Sequence, residues 1–129
     1  MATKKILIID DDIDLVEAMR LTLESAGFEV IDAQDGKKGF EKIVADKPDL
    51  VILDVMMRTQ DEGFHVAYEI RNNPDTRDIP LIMLTAVGQE TGFSFDKERD
   101  EDFLPVNEFL EKPIDPDTLI ELVKKNLGL

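Results

Sequence analysis

The chain has no cysteine and only one histidine, His65, among its 129 residues. The first absence excludes disulfides and thiolate metal sites, the second excludes a histidine-rich metal cluster, and the lack of cysteine suits the reducing cytoplasm. Basic residues are scarce as well: 15 Lys and Arg stand against 29 Asp and Glu, a formal net charge of -14. A field of that sign repels phosphate backbones and anionic lipid, so direct binding to nucleic acid is not expected. Long apolar runs are missing. Nothing approaches the roughly 20 residues that span a bilayer, and residues 1–9, charged at Lys4 and Lys5, do not make a signal peptide. A soluble protein without membrane insertion is expected. Internal repeats, linkers rich in Pro or Ser and shifts of composition are also absent. That leaves one domain over residues 1–129, with 43% apolar residues to fill its core.

What is present is an alternation of two periods. Short apolar runs at Ile6–Ile9, Leu50–Leu53, Leu81–Leu84 and Phe109-Leu110 read as buried strands, and Glu29–Ala33 as a strand nearer a sheet edge. Between them lie helical spacings. Val16, Met19, Leu23 and Ala26 fall on one face and close at Gly27; Gly36–Ala45 turns Phe40, Ile43 and Val44 inward before Lys47-Pro48; Phe64–Asn72 does the same with Val66, Ala67 and Ile70. The last helix is capped by Asp115 with Pro116 at its first position, carries Leu119, Leu122, Val123 and Leu127 on one stripe, and ends at Gly128. Between Ala86 and Pro105 the pattern weakens to a loose, acidic helix. Strands alternating with helices imply a parallel sheet covered on both faces: an α/β, doubly wound (βα)5 fold of flavodoxin-like strand order 2-1-3-4-5. Ligands of such sheets bind beyond the carboxyl ends of the strands, at the switch point between the first and third.

That rim is polar. Asp10 and Asp11 follow the first strand, Asp54 the third, Thr85 the fourth, and Lys112 lies just beyond the fifth. One Asp after a strand is usually a turn former, but five suited residues at four strand ends make a poor coincidence. Three carboxylates gathered within a few ångströms cannot all stay ionised unless a cation joins them. Oxygen ligands without sulfur or imidazole favour a hard divalent ion, and the few ligands on offer favour Mg²⁺ over Ca²⁺. Asp10-x-Asp12-x-Asp14 imitates the start of a calcium loop, yet the sixth position is Leu15 and the twelfth Leu21, so Asp12 and Asp14 read as helix N-terminal residues. A metal, a strand-end Asp, a hydroxyl and a lysine suit phosphoryl chemistry, with Asp54 as the candidate nucleophile.

Four segments then resemble, in order, the signatures of response regulator receiver domains: Ile6–Asp12, Pro48–Met57, Pro80–Ala86 and Phe109–Pro113. The match runs from about residue 5 to residue 127. The resemblance implies that Asp54 accepts a phosphoryl group from a phosphohistidine on a sensor histidine kinase or a histidine phosphotransfer protein. It implies that Asp11 binds Mg²⁺ directly, Asp10 mainly through a water, Asp54 through a carboxylate oxygen and Met56 through its backbone carbonyl. Thr85 would donate its hydroxyl to the phosphoryl group, Ala86 would leave room beside its N–H, and Lys112 would pair with the phosphate. Thr85 and Phe109 would form the switch that repacks the face running from the fourth strand to the fifth helix, where a downstream protein binds. Lys112-Pro113 resembles the family's cis peptide. Such a domain is not a conventional enzyme, though it catalyses its own phosphorylation and dephosphorylation.

The chain departs from the family pattern in three places. Met57-Arg58 stands where Met-Pro is usual, and Gly63 comes nine residues after Asp54 instead of eight; the stretch from Thr85 to Lys112 is long; and Phe109 lacks the hydroxyl of the common tyrosine. Met56 and Val87, two beyond Asp54 and Thr85, would slow hydrolysis of the phosphoryl group. His65 reads as solvent-facing or capping. The run Asp96–Asp102 reads first as a solvated face, and second as a docking segment beside the output surface. Because the chain stops at Leu129 after its last helix, a stand-alone switch is expected. The rivals are a non-phosphorylated interaction module on the same fold and, more remotely, a flavodoxin-like nucleotide binder or an aspartate-dependent phosphatase. The last would want an Asp at the position of Met56.

Overall fold

Lys5-Ile-Leu-Ile-Ile9 is apolar at every position after its lysine, as a strand covered on both sides must be, and it forms β1 (Lys5–Ile9). The computed structural model describes residues 3–54, 62–86 and 106–129, without the side chains of 62–64 and 86. The other elements are α1 (Ile13–Ser25), β2 (Glu29–Ala33), α2 (Gly36–Asp46), β3 (Leu50–Asp54), α3 (Glu62–Asn72), β4 (Leu81–Ala86), β5 (Glu108–Lys112) and α4 (Pro116–Asn126). All strand pairings are parallel, in the order β2-β1-β3-β4-β5. The loose helix expected between Ala86 and Pro105, and with it Asp96–Asp102, lies outside the described residues.

Successive strand residues face opposite sides of a sheet, and among the described residues each side meets two helices. Ile6, Ile8, Leu50, Ile52, Ile82 and Leu84 meet Val16, Met19 and Leu23 of α1 and Leu119 and Val123 of α4. Their neighbours Leu7, Ile9, Val51, Leu53, Leu81 and Met83 meet Ile43 of α2 and Val66, Ala67 and Ile70 of α3. Each fully buried Leu, Ile or Val contributes about 1.5–3 kcal/mol. β3 lies at the centre between β1 and β4, and residues 6–9, 50–53 and 81–84 of these three strands are 0% exposed, so the residues at their ends are held by the buried part of the sheet.

The helix ends follow their local chemistry. Asp12, Asp35 and Asp115 cap α1, α2 and α4 by accepting from the N–H groups of Leu15, Lys38 and Thr118 at 3.1, 2.8 and 2.9 Å. Gly27 and Gly128 take left-handed backbone (φ 97° and 75°) just past α1 and α4. At the end of α2, Lys47 takes this conformation itself (φ 47°), because Pro48 next to it bars continuation of the helix.

Two expectations need correcting. Val44 is not inward: it is 48% exposed, and the buried face of α2 is Gly36, Gly39 and Ile43. Gly39 lets the helix approach β1 so closely that a Cβ there would stand 2.5 Å from Ile9 Cδ1, and Val44, five residues on and so about 140° round the helix from that contact, faces solvent. The strands β3, β4 and β5 also run on into the polar residues, taking in Asp54, Thr85 and Lys112, instead of stopping short of them.

Candidate functional site

The register that pairs Ile8 with Ile52 and Ile9 with Leu53 brings Asp10 and Asp54 side by side at the carboxyl ends of the two central strands. Asp10 still belongs to the sheet through its N–H, which donates to the Ala33 carbonyl at 3.1 Å. Its Oδ1 accepts from the Asp12 N–H at 2.9 Å, so the turn that starts α1 also orients the first carboxylate. Asp11 sits exposed between them. Carboxylate oxygens of Asp10, Asp11 and Asp54 all lie within 4.8 Å of one another.

From the last position of β5, Lys112 reaches across to this group: its Nζ is 3.5 Å from Asp54 Oδ2 and 3.6 Å from Asp10 Oδ2. The peptide bond to Pro113 is cis. Thr85, half-buried, lies at the same end of β4, paired in register with Glu111 and one residue before the Ala86–Lys112 pair. Phe109 lies further back on β5, half-buried against the cluster on the α2 and α3 side. Thus Asp10, Asp11, Asp54 and Lys112 converge, Thr85 shares their rim, and Phe109 is three residues down the strand that carries Lys112. Met56, Met57, Arg58 and Val87 lie outside the described residues. His65 borders a groove between α2 and α3 with Phe40, Glu41 and Glu69, and this groove includes none of the carboxylates above.

Burial dominates the electrostatics. Asp10 is wholly inaccessible and Asp54 is 5% exposed. Burial pushes the Asp10 carboxyl above its ordinary range, opposed by the Asp12 N–H, then by the Lys112 charge and a hydrogen bond with Asp54, while Asp11 adds to the rise. Asp10 Oδ2 is buried and, among the described residues, has no hydrogen-bond partner. Lys112 beside it, at 3.6 Å, is an ion-pair contact. Among the described residues, three carboxylates against one ammonium leave a negative excess around that oxygen, and the donors are all hard oxygens. The residues therefore fit a hard divalent cation. The sequence points to the carboxylates by type and position; it does not reveal that the Asp12 amide fixes one of them, for which the only signal is a capping Asp two residues on.

A family model of the response regulator receiver domain matches residues 6–124. The chain belongs to this family. The receiver is 38% identical over 122 residues, 93% of its length, to the DNA-binding dual master transcriptional regulator RpaA of a Synechocystis species, covering 47% of that protein. It is 34% identical over 124 residues, 96% of its length, to the phosphate regulon transcriptional regulatory protein PhoB of Pseudomonas aeruginosa, covering 52% of it. The receiver thus spans about half the length of the curated relatives it matches. Among solved structures it resembles the chemotaxis protein CheY4 of Vibrio cholerae, with a TM-score of 0.81, 27% identity and coverage of 96% of this chain and 98% of that one. The N-terminal domain of a response regulator receiver protein from Methanoculleus marisnigri aligns with a TM-score of 0.73 and 31% identity over 96% of each chain. The protein is accordingly a receiver domain of two-component response regulators, a signalling domain. Among its described residues no helix is long and apolar enough to cross a membrane.

Proposed function

We propose that Asp54 is the phosphoryl acceptor of this receiver and that it takes its phosphoryl group from a phosphohistidine on a sensor histidine kinase or a histidine phosphotransfer protein. The observation that carries this reading is the convergence of three carboxylates, within 4.8 Å of one another, on one ammonium 3.5 Å from Asp54. Asp10, Asp11 and Asp54 would hold a hard divalent ion, Mg²⁺ before Ca²⁺, with the Met56 carbonyl as a further ligand. Bound there, the ion supplies positive charge to the oxygens of the transferring group.

The chain's own groups do the rest. An Asp54 oxygen attacks phosphorus as the P–N bond to the donor imidazole breaks, which leaves an acyl phosphate on the protein. Lys112 shifts its charge from the two carboxylates to the phosphoryl oxygens, and the Thr85 hydroxyl donates to another of these, with room left at Ala86. Movement of Thr85 repacks Phe109 and changes the surface between β4 and α4 that a downstream protein reads. The receiver acts as a switch that forms and hydrolyses its own phosphoryl group, and not as a conventional enzyme. Residues 1–129 work as one unit in the cytoplasm, through contacts with proteins; the net charge of -14 supports partners other than nucleic acid or membrane.

The test is incubation with Mg²⁺ and a small acyl-phosphate donor, followed by intact-mass measurement. One labile phosphoryl adduct, absent in Asp54→Asn, is expected. No adduct in excess donor would instead mark a non-phosphorylated interaction module. In the same assay, Met56→Glu should shorten the lifetime of the adduct; an unchanged decay would remove the apolar side chain as the cause of slow hydrolysis.

A further inference from the structure

At the rim opposite the carboxylates, one guanidinium holds three pieces of chain. Arg71, in the last turn of α3, donates from Nη1 to the carbonyls of Arg77 and Ile79, each at 2.7 Å, and from Nη2 to Asn107 Oδ1 at 2.9 Å. The same Asn107 oxygen accepts from the Leu81 N–H at 2.9 Å, while the Asn107 N–H donates to the Leu81 carbonyl at 2.9 Å. Asn107 therefore closes both bonds of a pairing at the start of β4, one of them with a side-chain oxygen standing in for a backbone carbonyl. The guanidinium fork meets this set of acceptors from two nitrogens held in one plane, whereas a lysine has a single nitrogen on a flexible stem.

Alternation along the strand puts Asn107 and Phe109 on the same side of the sheet, the side that α3 covers. Phe109 packs against the cluster that contains Ile70, the residue before Arg71, together with Leu81 and Met83. At its far end β5 is tied again, by Lys112 to Asp10 and Asp54. The strand is thus held at both ends, with Phe109 between. The Lys112 end is the one in contact with Asp54, where the charge would change.

We propose that the Arg71–Asn107 clamp restrains Phe109. It pins the start of β5 to α3 and β4, so that any rearrangement is confined to the ring. Without the clamp the ring takes a second packing before any phosphoryl group arrives. The inference rests on the reading of Phe109 as a switch residue.

The test is fluorine NMR of the whole chain labelled with fluorophenylalanine, with the Phe109 line assigned by Phe109→Leu. Wild type should give a single Phe109 line without donor. Asn107→Ala should split it into two, and Asn107→Asp, which keeps the acceptor oxygens and attracts Arg71, should restore the single line. Arg71→Lys, which keeps the charge without the fork, is read in the same way if Asn107→Ala does not fold. An unchanged Phe109 line alongside faster amide exchange at Leu81 would overturn the proposal, as would an Asn107→Asp variant as disturbed as Asn107→Ala. Acyl-phosphate donor added to the same samples separates the two readings. Absence of an adduct on Asp54 counts against the phosphoryl chemistry alone, because the restraint is measured before donor is added.

Discussion

Lys112 Nζ stands 3.5 Å from Asp54 Oδ2 and, within a tenth of an ångström of the same distance, beside Asp10 Oδ2. One ammonium, 26% exposed, therefore serves two buried carboxylates. Lys112→Met keeps much of the stem and removes the charge, leaving Asp10, Asp11 and Asp54 to repel one another. Metal-free protein should lose about 1–3 kcal/mol, the scale for a buried polar group deprived of its partner. Added Mg²⁺ should recover part of it. An unaltered urea midpoint would show that water already screens the group.

Asp10 gives the opposite sign. Its carboxyl is raised above the ordinary 3.8, chiefly by burial. The folded state thus holds that proton more tightly than the unfolded chain does. The resulting stability is fully present below pH 3.8 and is lost as pH rises through the folded value. At neutral pH that stability is lost or reduced and burial of the charged form is a burden on the metal-free protein, so Asp10→Asn should raise the thermal midpoint at pH 7 by a few degrees, or about 1 kcal/mol. That gain should shrink toward pH 3.8, and Mg²⁺ should stabilise the variant less than wild type. A variant less stable than wild type at pH 7 without metal would mean that the Lys112 pairing outweighs burial.

Gly39 is where α2 touches β1. A methyl group there would meet Ile9 Cδ1 at 2.5 Å and Cγ1 at 2.8 Å, both in a packed core. Alanine favours a helix by about 1 kcal/mol over glycine, but overpacking costs about 1–3 kcal/mol. Gly39→Ala should therefore be destabilising, by about 1 kcal/mol net. Ile9→Val, which removes the nearest carbon, should make the pair less damaging than the sum of the two changes. Strict additivity in a denaturant-based double-mutant cycle would show that the helix shifts instead.

Asp115 sits at the start of α4, where the N–H and hydroxyl of Thr118 hold its carboxyl below the ordinary 3.8. A depressed acid contributes stability above the unfolded value and loses it as pH falls through the folded one, below 3.8. Asp115→Asn still caps the helix but does not titrate. The difference in thermal midpoint between wild type and Asp115→Asn should be level well above 3.8 and move toward the variant's favour as pH falls through and below it. A flat difference down to acid unfolding would exclude the cap as an acid-sensitive element.

Strand order and the main core were legible because the apolar runs are short, bounded and separated by helical spacings, and a parallel sheet covered on both faces leaves few ways to connect them. The carboxylates and Lys112 were legible for a related reason: charge directly after a buried strand is visible in one dimension. Val44 was misread because periodicity ranks residues by polarity and does not register how close two backbones come; Gly39, which decides the matter, has no side chain to count. Strand ends were set too early because a polar residue such as Thr85 or Lys112 looks like an end, whereas the backbone ladder accepts any residue with a free N–H and C=O. The Arg71–Asn107 clamp gave no signal, since its partners are 36 residues apart and mostly backbone carbonyls.

With every strand parallel, the sheet has a reactive edge and a quiet one. β1 starts at the quiet edge, and α4 returns to it: Lys125, near the end of that helix, pairs with Glu108 at the start of β5 at 2.7 Å. A purification tag or reporter joined ahead of β1 or after α4 would therefore emerge on the side away from Asp54, separated from it by the length of a five-residue strand, roughly 16 Å. Fusions at both ends at once should leave the carboxylates open to a docking donor while holding their two cargoes close to each other.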